Sequence, residues 1–148
     1  MTISYRSETT PLSPQRMEQM SDLSRLVFGA HRVDDGNWRM TNMPDLSAFT
    51  AFVGGLMVGF KIGYAHTSTR YYSWLGGVHP EHRRQGIAVA LMRLQHEWVA
   101  DRGYEIVETE TAQSNAGMCQ LNEQSGFRVT GMRFDHDRPR MIYRRYFT

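Results

Sequence analysis

A strand that runs through a glycine-bearing basic loop into a long amphipathic helix constrains this chain more than any other feature. Tyr71 to Val78 is aromatic and apolar enough for a central strand. From Gly86 to Arg102, the residues Ile87, Ala90, Leu91, Leu94, Trp98 and Val99 form an apolar stripe at three- and four-residue spacing, and Gly103 supplies the stop. The stripe must be buried on the sheet that contains the strand. Gly76-Gly77 near the strand's end weakens the pleat, and such a pair marks a bulge or a close approach by another backbone or a ligand.

The rest of the chain supplies further strands and helices. Ile3 to Tyr5 reads as a strand start, and Ser13-Pro14 as an N-cap and first-turn proline, followed by Met17, Met20, Leu23, Leu26 and Val27 at helical spacing up to Gly29. His31 to Met43 is polar and irregular, with Asp34, Asp35 and Gly36 as breakers, and reads as a loop or a short second helix. Ala48 to Val53 and Leu56 to His66 are strand-like runs that Gly54-Gly55 joins as an antiparallel hairpin. Ile106 to Thr111 reads as a strand, Asn115 to Gln124 as a short helix ended by Gly126, and Phe127 to Phe134 with Arg140 to Tyr146 as a terminal hairpin. This order predicts an α/β (α+β) protein, one sheet covered by helices.

Composition narrows the class. At 148 residues, 41% hydrophobic and 22% charged, with 13 Gly and 5 Pro, the chain is expected to form a single globular domain over residues 1–148, not a disordered or collagen-like segment. Its net charge of +2 is too small for bulk nucleic-acid binding. No apolar run approaches the roughly 18 to 20 residues that cross a bilayer, so no membrane partner and a cytoplasmic location are expected. Lys61 is the only lysine, and Arg128, Arg133, Arg138, Arg140, Arg144 and Arg145 crowd the end of the chain as either a mixed-charge hairpin or an anion-facing surface. Cys119 is the only cysteine, which excludes an internal disulfide and a cysteine zinc site. His96-Glu97-Trp98-Val99-Ala100 lacks the second histidine of a zinc helix, so no metal is expected.

The segment from Val78 through His79-Pro80-Glu81-His82-Arg83-Arg84-Gln85-Gly86-Ile87-Ala88 is a strand end, a basic loop and a helix start. Free amides at a helix N-terminus and the macrodipole favour an anion there. Gly86 and Ala88 allow phosphate oxygens close to the main chain, while Arg83 and Arg84 add charge. An ordinary turn with two exposed arginines fits the same residues.

Arg83-x-x-Gly86-x-Ala88 resembles the Arg/Gln-x-x-Gly-x-Gly/Ala signature of the GCN5-related N-acetyltransferases, and Asn115 with Gly126-Phe127 resembles that family's second block. The likeness covers about Tyr72 to Phe127. It implies the GNAT fold: a central mixed, mostly antiparallel sheet of six to seven strands, flanked by about four helices, with the fourth and fifth strands splayed. It also implies acetyl-CoA as co-substrate. Leu75, Gly76, Gly77 and Val78 would bond the pantetheine arm along the strand edge. Arg83, Arg84, Gln85, Gly86, Ile87 and Ala88 would hold the pyrophosphate. Asn115 would contact the arm, or simply cap its helix. A homodimer is also compatible with the resemblance.

Acetyl transfer to an amine of pKa about 10.4 needs a base, since neutralising that amine at pH 7 costs roughly 4 to 5 kcal/mol. Glu108 and Glu110 fall on one strand face, and Glu110 matches the position from which a carboxylate serves as general base in some members. A solvated strand face is the alternative for both. Asn122 departs from the family, because many members place there a tyrosine that protonates the departing thiolate. Asn122 is expected instead to hydrogen-bond the thiolate or to orient a water. For the acceptor, a small-molecule amine or a peptide N-terminus, Asp34 and Asp35 offer attraction to a cation, and Trp38, Tyr71 and Trp74 offer an apolar wall. The expected function is therefore acetyl transfer from acetyl-CoA to a primary amine. The alternatives are an acyl-CoA-binding sensor with little turnover and a transferase of longer acyl groups.

Overall fold

The computed structural model describes residues 2–29 and 33–147, and of residues 33–35 the backbone only. The strands are β1 (Ser4–Thr9), β2 (Ser47–Val53), β3 (Leu56–Ala65), β4 (Arg70–Val78), β5 (Ile106–Ala112), β6 (Arg128–Asp135) and β7 (Arg138–Tyr146). The helices are α1 (Pro14–Phe28), α2 (Val33–Asn42), α3 (Ile87–Asp101) and α4 (Ala116–Gln124). Ser13 caps α1 by accepting a hydrogen bond from the Arg16 amide, and Pro14 sits where its missing N–H costs nothing. The breakers Asp34, Asp35 and Gly36 all lie in the first turn of α2, so the polar segment after Gly29 is a helix over the described residues from 33 onward. His31 lies outside them.

One seven-stranded sheet runs in the order β1-β2-β3-β4-β5-β7-β6. Every neighbouring pair is antiparallel except β4–β5, which is parallel. The terminal hairpin enters with β7 inside, next to β5. The interior strands β2 and β3 are buried along nearly their whole length. Met20 and Leu23 of α1 cover one face with Ala48, Phe52, Phe60, Ile62 and Tyr64. On the other face Ile87 and Leu91 of α3 pack on Phe49, Ala51 and Val58, while Met92 and Val99 join Tyr71, Val107, Phe127 and Tyr143. Each side chain of this size contributes about 1.5 to 3 kcal/mol when fully buried.

Two glycine contacts set the position of the site. A Cβ at Gly59 would stand 2.7 Å from Ile87 Cγ2 and 3.1 Å from Leu91 Cδ1, so the first turns of α3 rest in a hollow that only glycine provides. A Cβ at Gly77 would meet Val27 at 3.1 Å, which holds α1 against β4. The bulge expected near Gly76-Gly77 falls slightly earlier. Ile62 pairs with Leu75 and Gly63 with Ser73, which leaves Trp74 as the extra residue of β4. The two glycines mark close approaches instead.

Candidate active site

β4 and β5 pair only through Arg70–Ile106, Tyr71–Val107 and Tyr72–Glu108. Beyond Tyr72 the strands part, so the edge of β4 from Leu75 to Val78 faces no strand partner on that side. Thr109 reaches across the start of the gap, its hydroxyl donating to the Ser73 carbonyl at 2.8 Å. The remaining main-chain groups of the edge are open to an extended ligand that takes the place of a strand.

This edge leads directly into an anion-binding turn. After Val78 comes a single 3-10 turn, Pro80–His82, and then Arg84 and Gly86 both adopt left-handed backbone, with φ of 61° and 77°. Such residues turn successive amides into a concavity that suits an anion. Gly86 is the N-cap of α3, has no side chain to bond the first-turn amides, and has no atom within 4 Å of where a Cβ would be. The amides of that turn therefore remain unsatisfied by the protein. Arg83, Arg84, Gln85 and Ala88 are exposed around it, while the Ile87 side chain is only 2% exposed and anchors the turn in the core. Arg83 Nε donates to the Val78 carbonyl at 3.2 Å, tying the loop to the end of β4. An open strand edge continuous with uncapped, glycine-headed amides fits a diphosphate on an extended arm, an arrangement of acceptors that coenzyme A carries. Among the described residues no group of three or more His, Cys, Asp or Glu could hold a metal ion.

Glu108 and Glu110 share the sheet face opposite α3, and the terminal hairpin supplies their partners. Arg144 Nε lies 2.6 Å from Glu108 Oε2, and Arg133 Nε lies 2.6 Å from Glu110 Oε1, with Arg140 Nε at 3.4 Å from the same oxygen. The crowd of arginines is thus the mixed-charge hairpin. Both guanidinium contacts to the Glu110 carboxylate converge on Oε1. Tyr72 stands on the same face, its phenol pushed up to about 12 by burial and then by the Glu110 charge. Tyr64, His66 and Trp74 continue this aromatic surface, with the Arg39 guanidinium 4.9 Å from the Trp74 ring centre.

The other acceptor residues divide. Trp74 and Leu75 line an apolar cavity with Met17, Met20 and Met40, between the two N-terminal helices and the sheet. Trp38 is 59% exposed on α2, and the side chains of Asp34 and Asp35 lie outside the described residues. Tyr71 is not an acceptor wall. It is wholly buried on the α3 face, packed edge-on to Trp98 and Tyr104, because alternation along β4 sends it to the side away from Glu110.

Asn115 caps α4, its Oδ1 accepting from the Met118 amide at 3.1 Å, so the capping alternative accounts for that oxygen. Asn122 is 0% exposed and its Nδ2 donates to Thr111 Oγ1 at 2.9 Å, while Oδ1 has no partner. It therefore holds on to β5 beyond the last β4–β5 pair, with its side chain closed to solvent. Periodicity alone does not reveal the polar groups on the α3 face. Lys61 of β3 is 8% exposed, and burial lowers it to about 8. His96 of α3 falls to about 3, chiefly through burial, then through the charges of Lys61 and Arg145. A lone lysine inside the apolar run from Leu56 to Ala65 is the signal that could have drawn notice.

The match to known proteins follows this geometry. Residues 17–127 match the Acetyltransferase (GNAT) family, and the chain belongs to that family. It is 40% identical over 57 residues to human N-acetyltransferase 8 and 42% identical over 57 residues to N-acetyltransferase 8F1 of Rattus norvegicus. Each match spans 38% of this chain and about a quarter of the relative's length, 25% and 26% respectively. The fold is similar to the ribosomal-protein-S18-alanine N-acetyltransferase of Escherichia coli, with TM-score 0.82 and 17% identity over 98% of this chain and 95% of that one. An aminoglycoside 6'-N-acetyltransferase complexed with coenzyme A superposes with TM-score 0.79 and 19% identity, over 100% and 98% of the two chains. At these identities the structural likeness concerns the fold.

Proposed function

We propose that this chain transfers an acetyl group from acetyl-CoA to a primary amine by direct attack. The observation that carries the reading is the continuity of the unpaired β4 edge with the uncapped N-terminus of α3 at Gly86. The names of the family and of its N-acetyltransferase members support the acyl donor and the amine acceptor. When bound, acetyl-CoA supplies an acetyl group activated as a thioester. The β4 edge from Leu75 to Val78 binds and orients the arm, and the amides after Arg84 hold the diphosphate. The acceptor approaches from the face of Tyr72 and Trp74, where Glu110 takes up the proton the amine must lose. Arg133 and Arg140 hold that carboxylate in place.

Calorimetry with acetyl-CoA, followed by a thiol-release screen over small amines and peptide N-termini, tests this. Binding with thiol release on at least one amine is expected. Binding without release on any acceptor would replace the reading with a sensor, and a preference for longer thioesters would make it a transferase of larger acyl groups.

A further inference from the structure

Lys61 is the only lysine of the chain and lies nearly buried in β3. Among the described residues no carboxylate pairs with it, and burial is the only influence on its ammonium that is resolved. An unpaired buried cation is costly to keep, which makes its surroundings informative. The side chain leaves β3 on the α3 face and lies against Gly76 of β4, where an added Cβ would stand 3.5 Å from Lys61 Cγ. Gly76 lies past the last β4–β5 pair, so the stem of Lys61 lies beside the stretch of β4 that β5 has left. The same face holds buried polar atoms without partners: both amide atoms of Gln95 and Nε2 of His96. Of these groups His96 is near enough for its ring to sense the Lys61 charge, so polar atoms without partners and an unpaired cation share the sheet face beside the parting.

We infer that Lys61 is the proton donor to the departing sulfur of coenzyme A, the task for which Asn122 offers no acid. This rests on the acyl-CoA reading above. Lys61 Nζ gives its proton to the sulfur, which holds the electron pair of the broken carbon–sulfur bond. An acceptor that arrives as an ammonium loses two protons, one to Glu110 before attack and one to solvent as the tetrahedral intermediate collapses; Lys61 is left as a neutral amine, and solvent exchange resets both groups. An ammonium that titrates near 8 is well matched to a thiol near 8.5. The titratable or charged neighbours on this side are His96 of α3, which senses the Lys61 charge, Arg145 of β7, bonded to the His96 ring, and Tyr71, which lies over Gly63 two residues along β3.

Because the chain has one lysine, isotope-labelled lysine gives a single side-chain ammonium signal that can be titrated in the intact protein. The signal is followed with coenzyme A and with desulfo-coenzyme A, which lacks only the thiol. Lys61 should titrate about 1 to 3 pH units higher with coenzyme A, because a thiolate then lies within ion-pair reach. Identical titrations in the two complexes would overturn the inference while leaving the acyl-CoA reading intact. If neither compound binds, both fail together. In turnover, Lys61→Met should lower kcat by about 10²-fold or more with coenzyme A affinity within a few-fold of wild type. Wild-type kcat should fall above about pH 8, and Lys61→Met should lose that limb. An unchanged kcat in Lys61→Met would likewise overturn the assignment.

Discussion

Lys61→Met keeps the length and apolar stem of the buried lysine but removes its charge, and the ligand-free chain should gain stability from the change. Burial lowers Lys61 from the ordinary 10.5 to about 8. At about 1.4 kcal/mol per pH unit, holding the ammonium inside the fold costs about 3 kcal/mol at pH 7. The direction with pH follows from proton counting. Between about 8 and 10.5 the unfolded chain keeps the lysine proton and the folded chain does not, so wild-type stability rises with pH through that window. The advantage of Lys61→Met should therefore be near 3 kcal/mol below pH 8 and shrink toward zero by about pH 10.5. Urea unfolding of both proteins at pH 7 and pH 10 measures it, with equal slopes in denaturant confirming a shared two-state transition. A Lys61→Met protein that is no more stable than wild type at pH 7, or whose advantage does not change with pH, would refute the reasoning. Gain of stability with loss of turnover is the usual signature of a charge kept for function.

His96 gives a pH prediction of the same sign in a more acidic window. It stays neutral in the fold down to about 3 but takes up a proton near 6.5 when unfolded, so stability is lost as pH falls through that window. About 2 to 3 kcal/mol should be gone by pH 4.5, measured by urea unfolding, and His96→Gln should show a smaller loss over the same range. Glu110→Gln should leave acetyl-CoA affinity unchanged but lower kcat by about 10²- to 10⁴-fold near neutral pH. The deficit should close as the acceptor amine becomes neutral by itself, and a deficit independent of pH would exclude Glu110 as the base.

Sequence patterns located most of the elements because each announces itself locally. The stripe from Ile87 to Val99 found α3, Ser13-Pro14 found the start of α1, and Gly54-Gly55 found the β2–β3 turn. The loop before Gly86 was legible for the same reason, since an anion cradle of main-chain amides depends on consecutive residues. What sequence could not supply was which face each strand residue occupies across a bulge. The extra residue at Trp74 brings Trp74 and Leu75 to the α1 side, while Tyr71 alternates into the core under α3. The partners of Glu108 and Glu110 were hidden as well. Arg133, Arg140 and Arg144 reach them only because β7 inserts beside β5, a long-range pairing with no local signature. Lys61 is in the same class, since its burial depends on Gly76 of the neighbouring strand and on α3 above.

Titrating acetyl-CoA into wild type and Gly86→Leu by calorimetry tests the diphosphate cradle most directly. A Cβ at Gly86 would meet no atom within 4 Å beyond its chain neighbours, so the expected cost to the fold is the about 1 to 2 kcal/mol of left-handed backbone strain. The wild type should bind, and Gly86→Leu should remain folded with affinity at least about tenfold weaker, a loss of about 1.4 kcal/mol or more. Equal affinity in the two proteins would mean that the turn before α3 holds no diphosphate.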